Sequence, residues 1–398
     1  MAAENDKYAQ RGASASKEEV HHAIRNLDKG LYPSAFCKIL PDVAGGDPDF
    51  CNIMHADTAG TKTSLAYLYW KETGDISVWR GISQDALVMN LDDMACCGCI
   101  DDILISSTIA RNKHLITGAV IEELIQGTMD FIRVMEERGI SIKHAGGETA
   151  DTGDIVRTVD VGFTAFGRLH RKNLIVNQIK PGAVIIGLAS DGQANYETEF
   201  NSGIGSNGLT SARHDVLHHD YAARYPESFS PETDLRYVYN GPWHLTDKVD
   251  VGHQEIPVGK LLLSPTRTYL PILMPVIREY RPQIQGIIHC TGGAYSKVLK
   301  FVSPGLTVHI DHVPAVPVLF DLIRKASGTS LAEMYKVFNM GIRMMLFVDK
   351  NSAQAILDLS SAFGVKASIL GEVKRSEGPA KVVIRTGDDS EPLVEYQA

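Results

Sequence analysis

No apolar run in the 398-residue sequence approaches the ~18 residues that a membrane-spanning helix requires, which excludes a helical membrane protein. An excess of basic residues is missing too: 39 Lys+Arg stand against 48 Asp+Glu, a formal net charge of −9. That balance excludes the clustered positive surface by which proteins hold nucleic acid. The polar opening MAAENDKYAQRGASASKEE lacks the apolar core of a secretory signal, so the expected location is cytoplasmic. Cysteines are few, six in all, and three of them crowd into Cys96-Cys97-Gly98-Cys99. No spaced pair meets a second pair or histidines in the manner of a zinc site. Reduced, buried thiols acting as small apolar side chains are expected, with no disulfide framework. Internal repeats and low-complexity tracts are absent.

What is present is ordinary globular composition, 44% hydrophobic and 22% charged, over a length too great for one core. Two α/β domains are expected, 1–175 and 176–398, meeting near the turn signal Lys180-Pro181-Gly182. A polar stretch rich in His, Tyr and Pro, at about 214–258, reads as an inserted lobe. Periodicity predicts a strand at Phe50–Met54 and a helix capped by Ser83, with Leu87, Leu91 and Met94 on one face. It predicts a longer helix from about Gly118 to Arg138, with Ile121, Leu124, Ile125, Thr128, Phe131, Ile132 and Met135 at helical spacing. Alternation predicts a strand within 155–169, and an unbroken apolar run predicts a buried one at Val184–Ala189. Ser264-Pro265 reads as the start of a helix running towards Arg281, and Ser330-Leu331-Ala332-Glu333 as a capping box. A further helix is expected between Asn351 and Gly364.

Chemistry concentrates in five segments. In Asp57-Thr58-Ala59-Gly60-Thr61-Lys62, a carboxylate at a strand end precedes free backbone N–H groups and a cation, a combination suited to Mg²⁺ and a polyphosphate. It is not a P-loop, because the spaced upstream glycine is missing. Asp85, Asp92 and Asp93 share a helical face away from the apolar stripe, where solvated surface and metal ligation are the alternatives. Asp101 and Asp102 extend the charge as surface residues. Gly146-Gly147-Glu148 permits close backbone approach beside a carboxylate. Ser206-Asn207-Gly208 opens a helix at Leu209–Leu217, and Thr291-Gly292-Gly293 follows a strand. Each segment alone is explained as well by structure; together they point to a nucleotide and phosphate site.

The order of these segments resembles the phosphoribosylformylglycinamidine cyclo-ligase (aminoimidazole ribonucleotide synthetase) family over roughly residues 50 to 385. DTAGTK (57–62) resembles the family's DGVGTK, MNLDDM (89–94) its CVNDL, and GGETAD (146–151) its GGETAE. SNG (206–208) resembles HSNGYS, LLLSPTRTYL (261–270) LLxPTRIY, HCTGGA (289–294) HITGGG, and EMYKVFNMGIRMM (333–345) EMYRTFNMGIGM. The resemblance implies a two-domain fold whose N-terminal sheet pairs across a homodimer into a β-barrel, with the site in the cleft between domains. It implies ATP and Mg²⁺, with formylglycinamidine ribonucleotide as substrate. It also implies roles: Asp57, Asp85, Asp93 and Glu148 for the metal, Lys62 for the phosphates, and Gly60, Thr61, Gly146 and Gly147 for the nucleotide. Ser206, Asn207, Gly208, Thr291, Gly292 and Gly293 would face the ribonucleotide. Thiamine-monophosphate kinase, selenophosphate synthetase, the hydrogenase maturation dehydratase and a regulatory paralogue without turnover are the alternatives. Departures are plain. The family's histidine before SNG is Gly205, its glycine-rich stretch is replaced by GLYPSAFCKIL (30–40), its GAxP turn becomes Gly98-Cys99-Ile100-Asp101, and its DY pair becomes Ser106-Ser107. Within the insertion, His214, Asp215, His218, His219 and Asp220 have helical spacing; a solvated face is expected there, with His218 a candidate stand-in for the missing histidine.

Overall fold

The computed structural model describes residues 10–12, 18–252, 254–385 and 394–398. Its first half is organised by one sheet of five strands: β1 (Ile39–Pro41), β2 (Phe50–Thr58), β3 (Ile103–Arg111), β4 (Ile142–Asp151) and β5 (Val159–His170). Their spatial order is β1-β2-β5-β3-β4, antiparallel except for the parallel pair β3–β4. The expected strand at Phe50–Met54 thus runs four residues further, to Thr58, because β5 supplies a ladder along all of it.

The two faces of this sheet differ. Ile53, Ile103, Ile105 and Ala165 are buried under helices, whereas the row Met54–Phe166–Leu104, in register across three strands, lies on the other face. Met54 is 63% and Leu104 46% exposed. Helix Gly118–Glu137 presents Leu124, Thr128, Phe131, Ile132 and Met135 inward as expected, with Val120 beside them, while Ile121 is half-buried and Ile125 is exposed.

The second half is a seven-stranded mixed sheet in the order Ile284–His289, Ile342–Val348, Val184–Ala189, Ala367–Arg375, Leu306–Ile310, Lys381–Ile384 and Val394–Gln397. Ile342–Val348 is apolar except for one arginine and buried throughout, as a strand covered on both faces must be. Of the expected capping box the N-cap half is present, with Ser330 Oγ accepting the Glu333 N–H at 3.3 Å at the start of helix Leu331–Val337. The predicted helix between Asn351 and Gly364 spans Ala353–Ala362. All six cysteines are buried and unpaired.

One helix belongs to both halves. Val78–Ala95 starts five residues before Ser83, and every residue from Asp85 to Ala95 is buried. Ser83 Oγ instead donates to the Leu124 carbonyl oxygen at 2.6 Å. The acidic face expected to be solvated or metal-bound is therefore interior. Burying three carboxylates is costly unless they find partners, and those partners define the site; Asp85 Oδ2 has none among the described residues.

Candidate functional site

Asp85 and Asp92, seven residues apart and so on one side of the helix, both hold the segment Ser264–Tyr269 of the second half. Asp85 Oδ1 accepts from Lys62 Nζ at 2.8 Å, from the Thr266 N–H at 2.8 Å and from Thr266 Oγ at 2.6 Å. Lys62 Nζ also donates to the Ser264 carbonyl oxygen at 2.6 Å. Asp92 accepts from Thr268 Oγ at 2.7 Å and the Tyr269 N–H at 2.9 Å. These tertiary bonds occupy the N–H groups that a local cap would have taken, so the helix expected from Ser264-Pro265 begins only at Leu270. Two sequence-based roles change accordingly. Asp85, expected at a metal, and Lys62, expected at phosphates, neutralise each other with both side chains fully buried. Burial pulls the Lys62 pKa down against the opposing Asp85 charge.

Asp93 lies one position, about 100°, further round the helix and faces a different group. Its Oδ1 is 2.7 Å from His289 Nδ1 and its Oδ2 is 3.4 Å from His55 Nε2. Burial works to raise its pKa, but the Lys297 charge and hydrogen bonds from both imidazoles outweigh it and hold the carboxyl well below the usual range. The network assigns the tautomers. Asn90 Nδ2 donates to the Ala86 carbonyl oxygen at 2.9 Å, so Asn90 Oδ1 is the acceptor that meets His55 Nδ1 at 3.0 Å. His55 Nδ1 therefore carries a proton, and Nε2 needs a second one to donate to Asp93. The raised His55 pKa agrees: burial opposes charging, and Asp93 more than offsets it. His289 stays neutral, its pKa lowered to about 4 chiefly by burial. Its Nε2 accepts from Arg343 Nε at 3.1 Å, which leaves the Nδ1 proton for Asp93.

Around this ionised carboxylate the second-half motifs converge. Asp57 stands half-exposed at the end of β2, and Asn90 Nδ2 is 3.5 Å from its carbonyl oxygen. Gly60 has a left-handed φ of +61°, and a side chain there would have nothing within 4 Å, so its backbone faces open space. Thr61 Oγ is 2.8 Å from Thr210 Oγ, which ties DTAGTK to the turn Ser206-Asn207-Gly208 and to helix Leu209–Val216. Gly208 is required by contact: at φ +80° a Cβ would come 2.4 Å from the Phe338 ring. Asn207 Oδ1 is buried without a hydrogen-bond partner among the described residues, and Gly292 packs beside the same side chain, where a Cβ would lie 3.8 Å from Asn207 Nδ2. Lys297 Nζ donates to Thr291 Oγ at 2.6 Å while lying over the Phe36 ring. Gly293, at φ +89°, turns the chain into Ala294–Lys300. An orphaned buried acceptor beside glycine turns is what a bound polar ligand would satisfy.

Gly146, Gly147 and Glu148 are not brought to this cluster within one chain. Glu148 pairs with Thr108, Thr108 with Gly162 and Gly162 with Thr58. Three strand spacings, roughly 14 Å, therefore separate Glu148 from the end of β2, and it lies exposed on the edge strand. The lobe also departs from expectation. His214 is buried against Tyr239 and Asp215 is paired with Arg11 at 2.9 Å. The helix ends at Val216, so His218, His219 and Asp220 form a separate surface cluster with His244 stacked on His218. Asp101 and Asp102 belong to the turn before β3, where Asp101 accepts the Ser141 N–H at 2.6 Å. Sequence reasoning assigned no role to Asn90, Lys297 or Arg343, and His55 and His289 were only motif members. The arginine inside an otherwise matching motif was the one available signal.

Comparison with known proteins agrees with this architecture. Residues 41–169 match the family described as "AIR synthase related protein, N-terminal domain", and residues 180–384 match its C-terminal domain. A phosphoribosylformylglycinamidine cyclo-ligase of Methanocaldococcus jannaschii is 27% identical over 327 residues, covering 82% of this chain and 79% of the relative. The protein of that name from Thermococcus kodakarensis is 28% identical over 312 residues, covering 78% and 76%. Among solved structures, a chain of a HypE–HypF complex superposes with a TM-score of 0.54 at 13% identity, covering 97% of this chain and 99% of that one. Thermotoga maritima PurL complexed with ADP gives 0.52 at 14% identity, covering 99% of this chain and 51% of that one. Likeness at such identities concerns the fold alone. With both of its halves matched in order over most of its length, this chain belongs to the AIR synthase related protein family.

Proposed function

We propose that the protein is an ATP-dependent ligase, a phosphoribosylformylglycinamidine cyclo-ligase of purine biosynthesis working in the cytoplasm. The observation that carries this reading is Asp93, kept ionised between two imidazoles in the cleft where Asp57 meets the ribonucleotide-side motifs. Relatives matching most of the chain carry that enzyme's name. In this reading a phosphoryl group passes from ATP to the formyl oxygen of formylglycinamidine ribonucleotide, giving an iminophosphate. The substrate's amidine nitrogen then forms the ring C–N bond and phosphate leaves. Such chemistry needs positioning and charge neutralisation more than covalent help.

The residues present fit Mg²⁺ only in part. Asp57 offers a half-exposed carboxylate at the mouth of the cleft, whereas Asp93 already serves two imidazoles and Asp85 is sealed. Bound there, Mg²⁺ would neutralise phosphate charge beside Asp57. The other carboxylate, Glu148, reaches the cleft if the protein is a homodimer. Among the described residues β1 pairs with Cys51–Ile53 of β2 alone, so Met54–Thr58 is an open edge, and β4 is the opposite edge of the sheet. Closing two such sheets into a barrel sets β4 of one chain, with Gly146, Gly147 and Glu148, beside the partner's Asp57. The apolar row Met54–Phe166–Leu104 then faces the barrel interior.

The test is incubation with ATP, Mg²⁺ and formylglycinamidine ribonucleotide. ADP release that requires the ribonucleotide is expected. Tight ATP binding with no ribonucleotide-dependent release would replace this reading by the regulatory paralogue.

A further inference from the structure

Two departures from the family pattern, far apart in sequence, touch in space. Position 205 is glycine where the family places a histidine before Ser-Asn-Gly, and position 343 is arginine where the motif FNMGIGM has glycine. Gly205 is buried at φ +65°, and a Cβ there would lie 1.8 Å from Arg343 Nη1 and 2.5 Å from its guanidinium carbon. Arg343 occupies the space that a side chain at 205 would fill. Its own position is costly: it is 1% exposed, its Nε donates to His289 Nε2, and its Nη2 lies 3.3 Å from Met89 Sδ. Among the described residues no carboxylate lies within ion-pairing distance of the guanidinium; burial lowers its pKa, and Asp92, Asp85 and Asp93 oppose its charge only from further off. A buried cation without a paired anion is disfavoured unless something beyond packing requires it.

We propose that Gly205 and Arg343 are one exchanged unit, in which Arg343 has taken over the place of the missing side chain and acts as a positioning residue for the Asp93–His289 pair. By donating to His289 Nε2 it fixes the tautomer whose Nδ1–H serves Asp93. Its Nη1, on the Gly205 side, adds a fixed positive charge behind the turn Ser206-Asn207-Gly208. This assignment rests on reading the cleft as the ribonucleotide site, and it disposes of His218 as a stand-in for the absent histidine.

The experiment is a double-mutant cycle of Gly205→His and Arg343→Gly, read on the unfolding midpoint and on kcat and KM for formylglycinamidine ribonucleotide. Each single variant is expected to lose on the order of 100-fold in kcat and to lower the midpoint, while the double variant recovers to within about tenfold of the parent. Backbone strain at position 205 is common to both backgrounds and cancels in the coupling. Arg343→Met, similar in bulk but without donor or charge, should keep the midpoint and still lose kcat with the KM for ATP unchanged. Arg343→Lys should recover part of that loss. Purely additive losses in the cycle, or parental kcat in Arg343→Met, would overturn the proposal. If the parent does not turn over this ribonucleotide, the functional reading fails by itself, and the midpoint coupling between positions 205 and 343 still decides whether they are one unit.

Discussion

Asp93 and Lys62 are both charged residues from recognisable motifs, yet burial and partners give them opposite standing. Asp93 is an acceptor for two imidazoles, and its side chain keeps a small exposed fraction of 10%. Asp93→Asn replaces one acceptor oxygen with a donor facing His55 or His289, so ribonucleotide-dependent ADP release should fall by roughly 100-fold or more while the fold survives. Release at the wild-type rate would remove Asp93 from the mechanism. Lys62 instead closes an ion pair that solvent does not reach. Lys62→Ala leaves Asp85 buried without its cation and should cost about 3–5 kcal/mol in chemical denaturation. An unchanged midpoint together with a raised ATP requirement would return Lys62 to the phosphates.

At the scale of elements, legibility followed how one-sided the burial is. Gly118–Glu137 covers a sheet on one side and meets water on the other, so its 3.6-residue period is written in the sequence. Val78–Ala95 lies between both halves and is buried all round from Asp85 onward, which erases the period and hides its true start. Its acids looked like a surface because sequence alone does not show that Thr266, Thr268 and Tyr269 will arrive to satisfy them. Burial raises the Asp92 pKa to about 7 in the folded chain, above its unfolded value, so the folded state binds the extra proton. Stability from this group is present below the unfolded pKa and declines as pH rises through about 7. Asp92→Asn, with its amide nitrogen towards Thr268 Oγ, removes that decline. Denaturation midpoints at about pH 5 and about pH 8 should therefore differ less in the variant than in the parent. Equal differences in both would show that Asp92 does not titrate there.

At the scale of the molecule, the N-terminal sheet leaves Met54–Thr58 of β2, the opposite edge β4 and one apolar row uncovered among the described residues. If a second copy covers them, Met54→Asp with Leu104→Asp should convert a dimer to a monomer in light scattering. The same change should abolish ribonucleotide-dependent turnover, because Glu148 would lose its partner's Asp57. A wild-type protein that is monomeric at assay concentration would refute the arrangement.

Sequence by itself determined the α/β class, the strands and amphipathic helices with one wet face, the N-cap at Ser330, and the order of motifs that identifies the family. Those features are local or periodic, and neighbours along the chain suffice to produce them. Only the tertiary structure decided which acids are sealed and which face the cleft, that Lys62 belongs to Asp85, and that Glu148 is roughly three strands away from Asp57. It alone put Arg343 against Gly205. Charge–charge partnership depends on distance and burial, and neither is encoded in the spacing of residues along the chain.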